Sequence, residues 1–291
     1  MTAGVYLLIR FNFFIIKSYF CYFLILLGIF TILIAGIAAI LEIDIKKVIA
    51  LSTLSQLGVI IIIIGAQKPL LAYFHLLSHA YFKAILFICA GIIIHNIKDY
   101  QDIRCIGTLN ISIPLICRII NTANISLCGL PFIRGFYSKD IILEIILLDG
   151  YNIFLFIIIL LATILTVSYS CRLSFHLSSN RIKLENIRLI SEIEIFIVRG
   201  IFFLLPFAIF GGINLNWILI SRRSFIFLPF WFKSSILILI ISGVFFLIFL
   251  FKNNFYSIFF LPFEFFRNIW FIPLTFRKTL RIWALNLRGK K

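Results

Sequence analysis

Apolar residues occur along this chain in long, nearly unbroken runs, such as Leu24–Leu33 and Ile153–Ala162. A helix needs about 20 residues to cross the hydrocarbon core of a bilayer, and on that measure the runs predict seven spans. They are roughly Tyr19–Leu41, Lys47–Ala66, Leu70–His95, Ile111–Leu148, Ile153–Phe175, Ile197–Ile220 and Ile236–Phe251, preceded by a short stub from Thr2 to about Phe11. A transmembrane barrel is not expected, because its strands would alternate polar and apolar residues. The pattern therefore predicts an all-α polytopic membrane protein of about seven transmembrane helices plus an N-terminal helix stub.

The fourth predicted span, Ile111–Leu148, is too long for one crossing, since a single helix would extend about 57 Å. Its middle contains Gly129, Pro131 and Gly135. Proline lacks an N–H group and glycine is conformationally permissive, so a helix breaks or kinks there. Two helices joined by a short loop would account for this pattern. So would one discontinuous helix of the transporter type, with a polar group at the break, and this is the structure we expect.

Composition narrows the class further. The chain has 291 residues, of which 63% are hydrophobic and 13% are charged, whereas a soluble domain carries about 25% charged residues. Lys and Arg number 27 against 11 Asp and Glu, which gives a net charge of +16. Nucleic-acid binding would need a solvated basic face, for which too little soluble chain remains, so we expect a lipid bilayer and no nucleic acid as partner. The 6 cysteines form no Cys-x-x-Cys pair, which argues against a metal site and against a disulfide framework.

The basic residues between spans sort into two sides, and the richer side should face the compartment in which the chain is made. The richer side carries Lys46, Lys47, Lys98, Arg104, Arg172, Arg181, Lys183, Arg188 and Lys252, and the other carries Arg10, Lys17, Lys68, Arg222, Arg223 and Lys233. After the last span, an aromatic stretch (Ser257–Phe276) suits a membrane interface, and the basic residues Arg277–Lys291 suit lipid headgroups. We expect one membrane domain over residues 1–276 and a basic tail over residues 277–291.

Three titratable side chains lie inside the third span, where charged groups are costly and each is a functional hypothesis. His75, His79 and Lys83 are spaced i, i+4, i+8, so they share one face of a helix at steps of about 6 Å. A proton relay needs this arrangement, because one water molecule can bridge each gap and histidine changes charge near neutral pH. Alternatively, the histidines bond neighbouring helices and the lysine snorkels. A metal site is less favoured, since no third ligand is evident.

Two more charges follow the predicted break. Lys139 and Asp140 come directly after Gly135-Phe136-Tyr137-Ser138 and precede more apolar chain. They could form an interfacial ion pair, or the break and Asp140 could tune the proton affinity of Lys139. The second span carries Ser52, Thr53, Ser55 and Gln56, which could join helices or hold water beside the relay. The sequence thus nominates His75, His79, Lys83, Lys139 and Asp140 as a proton relay, with no catalytic, metal-binding or cofactor-binding residue.

Several motifs give these residues a family context. Asp44–Gly58 and Phe74–Ala84, the segments around the second-span hydroxyls and the third-span histidines, resemble signatures of antiporter-like proton-translocating subunits. His95-Asn96, Gln101–Arg104, Gly129–Phe132, Gly135–Asp140, Phe210–Gly212, Asn216-Trp217 and Trp270–Pro273 point to one member of that family, of animal and arthropod type. The resemblance covers nearly the whole chain up to about Phe276.

The resemblance implies a core membrane subunit of respiratory complex I, the H⁺-translocating NADH:ubiquinone oxidoreductase of the mitochondrial inner membrane. In that family His75, His79 and Lys83 match positions on a central hydrophilic axis, and Lys139 matches the lysine of a broken helix near the exit. NADH, FMN, iron–sulfur clusters and ubiquinone act in other subunits, so the resemblance implies that this chain binds no cofactor and performs no redox catalysis. It implies as partners the other membrane-arm subunits, especially a neighbouring antiporter-like subunit.

The chain also departs from the family. Family members are nearly twice as long, and their earlier helices carry a Glu–Lys pair and a further His that are absent here, so we expect a partial chain. Two other functions stay open, a subunit of a multi-subunit cation/proton exchanger and an inactive gene fragment. Arg134 occupies a position where similar sequences have a small residue, and Arg118 is also unexpected inside a span. We hypothesise that a mitochondrial genetic code reads some of these arginine codons as serine.

Overall fold

The computed structural model describes residues 2–16, 19–97, 100–104, 106–107, 109–131, 133–148, 153–179, 195–219 and 230–252. Within these residues the chain forms helices connected by short loops. In chain order the helices are α1 (Thr2–Arg10), α2 (Asn12–Ile16), α3 (Phe20–Leu41), α4 (Ile45–Gly65), α5 (Pro69–Asn96), α6 (Leu109–Ser112), α7 (Pro114–Cys128), α8 (Arg134–Leu148), α9 (Ile153–Ser179), α10 (Ile195–Leu219) and α11 (Phe230–Lys252). Each of the seven predicted spans corresponds to one of these helices or, for the fourth span, to the pair α7 and α8.

Five stretches of the described helices are long and apolar enough to cross a membrane: Phe20–Leu41, Ile45–Gly65, Pro69–Asn96, Leu155–Ser178 and Val198–Ile218. These helices pack through small residues. On α3 and α4, Gly28 and Gly58 face each other so closely that a β-carbon on Gly28 would lie 2.9 Å from the carbonyl oxygen of Gly58. Helices in lipid gain their association energy from such close backbone approach rather than from hydrophobic burial.

The fourth predicted span is discontinuous, as expected. Helix α7 ends at Cys128 and is capped by Gly129, whose φ of 84° lies in the left-handed region that glycine tolerates. Pro131 lies between the helices, and α8 begins at Arg134. Two half-length helices of 15 residues each therefore replace one long helix.

The two loops at one end of the bundle are joined by main-chain hydrogen bonds. Ile45 N donates to Gln101 O at 3.1 Å, and Ile103 N donates to Ile43 O at 3.0 Å. These bonds place the loop between α3 and α4 beside the loop after α5. The basic residues Lys46, Lys47 and Arg104 therefore share one end, in agreement with their assignment to one side.

One arginine differs from its predicted environment, and a second agrees with it. Arg172 was counted with the loop charges, but it is buried within α9, and its Nη1 donates to the carbonyl oxygen of Ile40 near the C-terminus of α3. A cation is favourable there because the last carbonyls of a helix lack intrahelical donors. Arg118 lies inside α7 as predicted, on an exposed position. The aromatic stretch Ser257–Phe276, the tail Arg277–Lys291 and the charges from Arg181 to Arg188 lie outside the described residues.

Candidate functional site

The three titratable groups of the third span lie in α5 and are all buried. His75, His79 and Lys83 are 3%, 4% and 5% exposed, respectively. Lys83 lies at the middle of the helix, 14 residues after Pro69 and 13 before Asn96 (83 − 69 and 96 − 83). The rings of His75 and His79 are roughly stacked, with centroids 6.4 Å apart. The predicted spacing therefore produces a line of polar groups, and at the middle of the span Lys83 is too far from either end to snorkel.

Both nitrogens of His75 have polar partners on neighbouring helices. Nδ1 lies 3.1 Å from the Ser138 hydroxyl on α8, and Nε2 lies 3.2 Å from the Gln56 side-chain oxygen on α4. The Ser78 hydroxyl donates to the His75 carbonyl oxygen at 2.8 Å and reaches the Ser138 hydroxyl at 3.3 Å. The imidazole is thus held between two helices and in contact with the segment that follows the break.

Lys83 is held by the hydroxyl-rich face of α4. Its ammonium group donates to the Ser52 hydroxyl, and the Ser55 hydroxyl donates to the Ser52 carbonyl oxygen at 3.0 Å. Ser55 also lies 3.5 Å from the Tyr169 hydroxyl on α9. The second-span hydroxyls therefore join helices and also contact Lys83. Joining helices and lying beside the predicted relay, the two roles offered for them from the sequence, are thus compatible.

The break positions Lys139. Its ammonium group donates to the carbonyl oxygen of Leu127, one of the last residues of α7, and to the Thr166 hydroxyl on α9 at 3.3 Å. A helix C-terminus provides unpaired carbonyls and a partial negative charge. The discontinuity therefore supplies the groups that stabilise a buried cation, which an unbroken helix would not offer at this depth.

Two small cavities lie among these groups. One, of about 10 Å³, is lined by Gln56, His75, His79, Phe82, Ser126, Leu127, Gly135, Ser138 and Lys139. The other, of about 20 Å³, is lined by Gln56, Val59, Lys139, Ile142, Leu143, Ile159, Ala162, Thr163 and Thr166. Gln56 and Lys139 line both cavities. Lys139 therefore lies between the α5 histidines and α9.

The acidic group beside Lys139 does not bond it. Among the described residues, the hydrogen bonds of Lys139 go to Leu127 and Thr166, and no carboxylate lies within ion-pair distance of its nitrogen. Asp140, the next residue on α8, is half-buried, as is Glu144. The assignment of Asp140 to the relay stays a prediction.

Three polar groups of the site were missed or only partly anticipated. Thr166 and Tyr169 belong to the fifth predicted span, which was treated as apolar, and Gln56 was only one of several second-span polar residues. A signal was available on α9, because Thr163, Thr166 and Ser170 are spaced i, i+3, i+7 and so share one helix face. No metal-binding group of three or more His, Cys, Asp or Glu occurs among the described residues.

Arg134 is the least expected buried residue near the site. It is 1% exposed, donates from Nη1 to the Phe207 carbonyl oxygen at 2.7 Å, and lies 4.3 Å above the ring centroid of Tyr81. Its Nε and Nη2 have no hydrogen-bond partner among the described residues. The side chain occupies the space in front of Gly211 and Gly212 on α10.

Comparison with known proteins gives this arrangement a family. Residues 1–166 match the model of the family described as NADH:quinone oxidoreductase/Mrp antiporter, TM, and residues 169–290 match that of the NADH dehydrogenase subunit 5 C-terminus. NADH-ubiquinone oxidoreductase chain 5 of Aedes aegypti is 45% identical over 84% of this chain, and that of Locusta migratoria is 43% identical over 84%. The chain belongs to the NADH–ubiquinone oxidoreductase chain 5 family. This is the member that the motifs indicated, and the insect relatives agree with its arthropod type.

The match covers 42% of the Aedes aegypti protein, so the chain spans less than half the length of its chain 5 relatives. The fold also agrees with a solved structure, the Mrp complex from Dietzia sp. DQ12-45-1b. The similarity has a TM-score of 0.76 at 21% sequence identity, and it covers 99% of this chain and 33% of that one. Together with the apolar helices, membership of the chain 5 family establishes an integral multi-pass membrane protein.

Proposed function

We propose that this chain forms part of the proton path of respiratory complex I, coupled to electron transfer from NADH to ubiquinone. One observation carries the proposal: His75 and His79 on α5 and Lys139 on α8 line one cavity at the helix break, and Lys139 also lines a second. The side chains of this site gain, lose or donate protons. The chain therefore contributes to the enzyme by moving protons. It is a subunit of an H⁺-translocating NADH:ubiquinone oxidoreductase that performs no redox step itself.

The path runs from the middle of the bundle toward the break. Lys83 and His79 are one helical turn apart, and the ring centroids of His79 and His75 lie 6.4 Å apart, a separation that one intervening water molecule would span. From His75 the path continues through the Ser138 hydroxyl, 3.1 Å away, to the cavity that Lys139 lines. Lys139 then passes its proton toward Thr166 and the second cavity, which we propose as the exit side.

We further propose the mitochondrial inner membrane as the location and the other membrane-arm subunits as partners, above all a neighbouring antiporter-like subunit. The names of the chain 5 relatives support this assignment. NADH, FMN, iron–sulfur clusters and ubiquinone would act in other subunits. The imidazoles of His75 and His79, the amines of Lys83 and Lys139 and the hydroxyls that contact them are groups that gain, lose or donate protons.

The test replaces relay groups in the complete protein, assembled in its complex. Lys139→Ala and His79→Ala are expected to lower the number of protons translocated per electron, because each removes one step of the line. Lys46→Ala and His95→Ala are matched controls, since these residues are exposed near the ends of α4 and α5, and they should leave the ratio unchanged. Assembled complexes with a normal ratio in both relay variants would refute the proposal.

A cation/proton exchanger subunit is the other active function that the sequence left open. The Mrp similarity at 21% identity concerns the fold, whereas the match to the subunit 5 C-terminus over residues 169–290 favours the complex I assignment. Sodium dependence separates the two: NADH-driven proton translocation by the complex should persist in sodium-free medium. A strict sodium requirement would favour the exchanger.

A further inference from the structure

Gln56 on α4 lies against one nitrogen of the His75 ring. Its side chain is 1% exposed, and its oxygen lies 3.2 Å from Nε2 of His75. It also lines both cavities of the site. An amide has no charge to contribute at any ordinary pH, so its effect on the relay must come through hydrogen-bond direction.

An amide oxygen accepts hydrogen bonds and cannot donate them. Nε2 of His75 must therefore carry a hydrogen whenever this bond exists. A neutral imidazole has a single N–H group, so Nδ1 is then bare and acts as an acceptor. Nδ1 faces α8, where the Ser138 hydroxyl lies 3.1 Å away.

Ser138 suits both charge states of His75, because a hydroxyl hydrogen rotates to suit its neighbours. With neutral His75, the hydroxyl donates to Nδ1. After His75 gains a proton on Nδ1, the hydroxyl accepts from it and turns its own hydrogen to the Gly135 carbonyl oxygen, 3.3 Å away. Ser138 can therefore bond Nδ1 in both charge states of His75, which keeps the cost of changing between them low.

We propose that Gln56 is a positioning residue that fixes His75 in the Nε2–H tautomer, so that Nδ1 gains and loses the transferred proton on the α8 side. The inference rests on the proposed function for the meaning of that transfer. The assignment of the tautomer itself follows from the Gln56 side-chain oxygen, and not its nitrogen, facing Nε2 of His75. Proton exchange is thereby directed to the side of the ring that faces Ser138 and the residue after it, Lys139.

Other titratable groups also face His75, and they bear on any pH effect. They are His79 on α5, whose ring centroid is 6.4 Å away, and Lys139 on α8, which lines the same cavity. Lys83 and Tyr169 contact Ser52 and Ser55 instead. Among the described residues, the hydrogen-bond partners of the His75 nitrogens are Gln56 and Ser138. The choice between the two ring nitrogens therefore falls to Gln56 and Ser138.

The first measurement is made on the wild-type full chain in lipid bilayers, with histidine labelled by ¹⁵N in the ring. Solid-state NMR separates the two neutral tautomers, and the His75 signal is the one that disappears in His75→Asn. We expect the Nε2–H form at a pH where His75 is neutral. The Nδ1–H form in the wild-type chain would overturn the inference, and this readout needs no variant of Gln56.

The second measurement uses Gln56→Leu, which removes the acceptor at nearly constant volume, and Gln101→Leu, a matched control at an exposed loop position. Gln56→Leu should give a mixture of tautomers or the Nδ1–H form, and Gln101→Leu should keep the wild-type spectrum. Retention of the Nε2–H form in Gln56→Leu would show that Gln56 does not fix the tautomer, and it would overturn the inference.

The third measurement uses Gln56→Glu in the assembled complex. A carboxylate at this position would stabilise the imidazolium of His75, so the pH profile of proton translocation should move to higher pH, with Gln101→Glu unchanged. A lower rate with an unmoved profile would contradict a positioning role. If the His75→Asn complex pumps normally, the proposed function fails at this residue, while the tautomer measurement still decides the role of Gln56.

Discussion

The two lysines of the site, Lys83 and Lys139, are held by neutral groups. Lys139 donates to a main-chain carbonyl and to the Thr166 hydroxyl, and Lys83 donates to Ser52. A carboxylate would hold the proton through an ion pair, whereas a hydroxyl satisfies a neutral amine as well as an ammonium ion because it both donates and accepts. These partners therefore suit groups that must exist in both charge states.

Thr166→Val tests this idea at the proposed exit side. Valine has nearly the shape of threonine, so the change deletes the hydroxyl 3.3 Å from the Lys139 nitrogen and little else. A hydrogen bond to a charged group contributes about 1.5–3 kcal/mol, and we expect proton translocation by the assembled complex to slow roughly tenfold for a loss near the lower figure. Thr122→Val is the control, because Thr122 is exposed on α7. Equal rates of proton translocation in the two variants would show that Thr166 is not part of the path.

Arg134→Ser is expected to maintain or increase stability. Two arginine nitrogens are buried without a partner among the described residues, and each such loss costs about 1–3 kcal/mol. The cation–π contact with Tyr81 returns about 2 kcal/mol and the bond to the Phe207 carbonyl oxygen about 1.5–3 kcal/mol. These gains roughly offset the losses, and a cation is in addition unfavourable at the start of α8. Thermal denaturation of the solubilised protein, with Arg118→Ser as the exposed control, measures the difference. A destabilisation of Arg134→Ser by more than about 1 kcal/mol would contradict this expectation.

At this scale, the sequence predicted the residues whose spacing lies within one helix. His75, His79 and Lys83 follow one helical face, so their alignment was readable from spacing alone. Gln56 and Thr166 reach the site from α4 and α9, and their contacts depend on how those helices pack. A single sequence carries no direct signal for such contacts between helices, so they were missed or only partly anticipated.

The break between α7 and α8 depends on close backbone contact. A β-carbon on Gly135 would overlap the carbonyl oxygen of Ser126, near the end of α7. Backbone atoms cannot move aside as a flexible side chain does, so any larger residue would push α8 away from α7. Ser138 and Lys139 follow on the same helix and would move with it.

We therefore expect Gly135→Ala to destabilise the protein by about 1–3 kcal/mol, the usual range for overpacking, and to lower proton translocation. Gly91→Ala is the matched control, because a β-carbon on Gly91 meets nothing within 4 Å and alanine favours a helix over glycine by about 1 kcal/mol. Thermal denaturation and proton translocation of the assembled complex report both effects. Equal stability of the two variants would show that the break tolerates a wider separation.

At the scale of elements, the apolar runs and the positions of glycine and proline predicted most of the helices. The apolar runs gave the seven spans to within a few residues, and Gly129 and Pro131 marked the break. The sequence did not indicate what the break does, because the Leu127 carbonyl becomes an acceptor for Lys139 only when α8 folds back against the end of α7. The contact of Arg134 with Gly211 and Gly212 could not be predicted either, because it also depends on how the helices pack.

At the scale of the whole molecule, charge distribution and helix direction agree. The loops at Lys46 and Gln101 share one end through their main-chain bonds, and α8 runs from the break toward the end that carries Lys68. The positive-inside rule places the basic-rich end in the compartment of synthesis. The proposed path from Lys83 to Lys139 then leads away from that compartment.

This orientation is testable by labelling. Lys46→Cys and Gln101→Cys should react with a membrane-impermeant thiol reagent from the same side. We expect this to be the matrix side, which faces the outer solution in inverted membranes of the assembled complex. Lys68→Cys should react from the opposite side, because Lys68 lies beyond α4 and the membrane separates the two ends of a span-length helix. The unsubstituted protein, with its 6 native cysteines, sets the background. Reaction of positions 46 and 68 from one side would contradict the transmembrane course of α4, and reversed sidedness would place Lys139 on the entry side of the path.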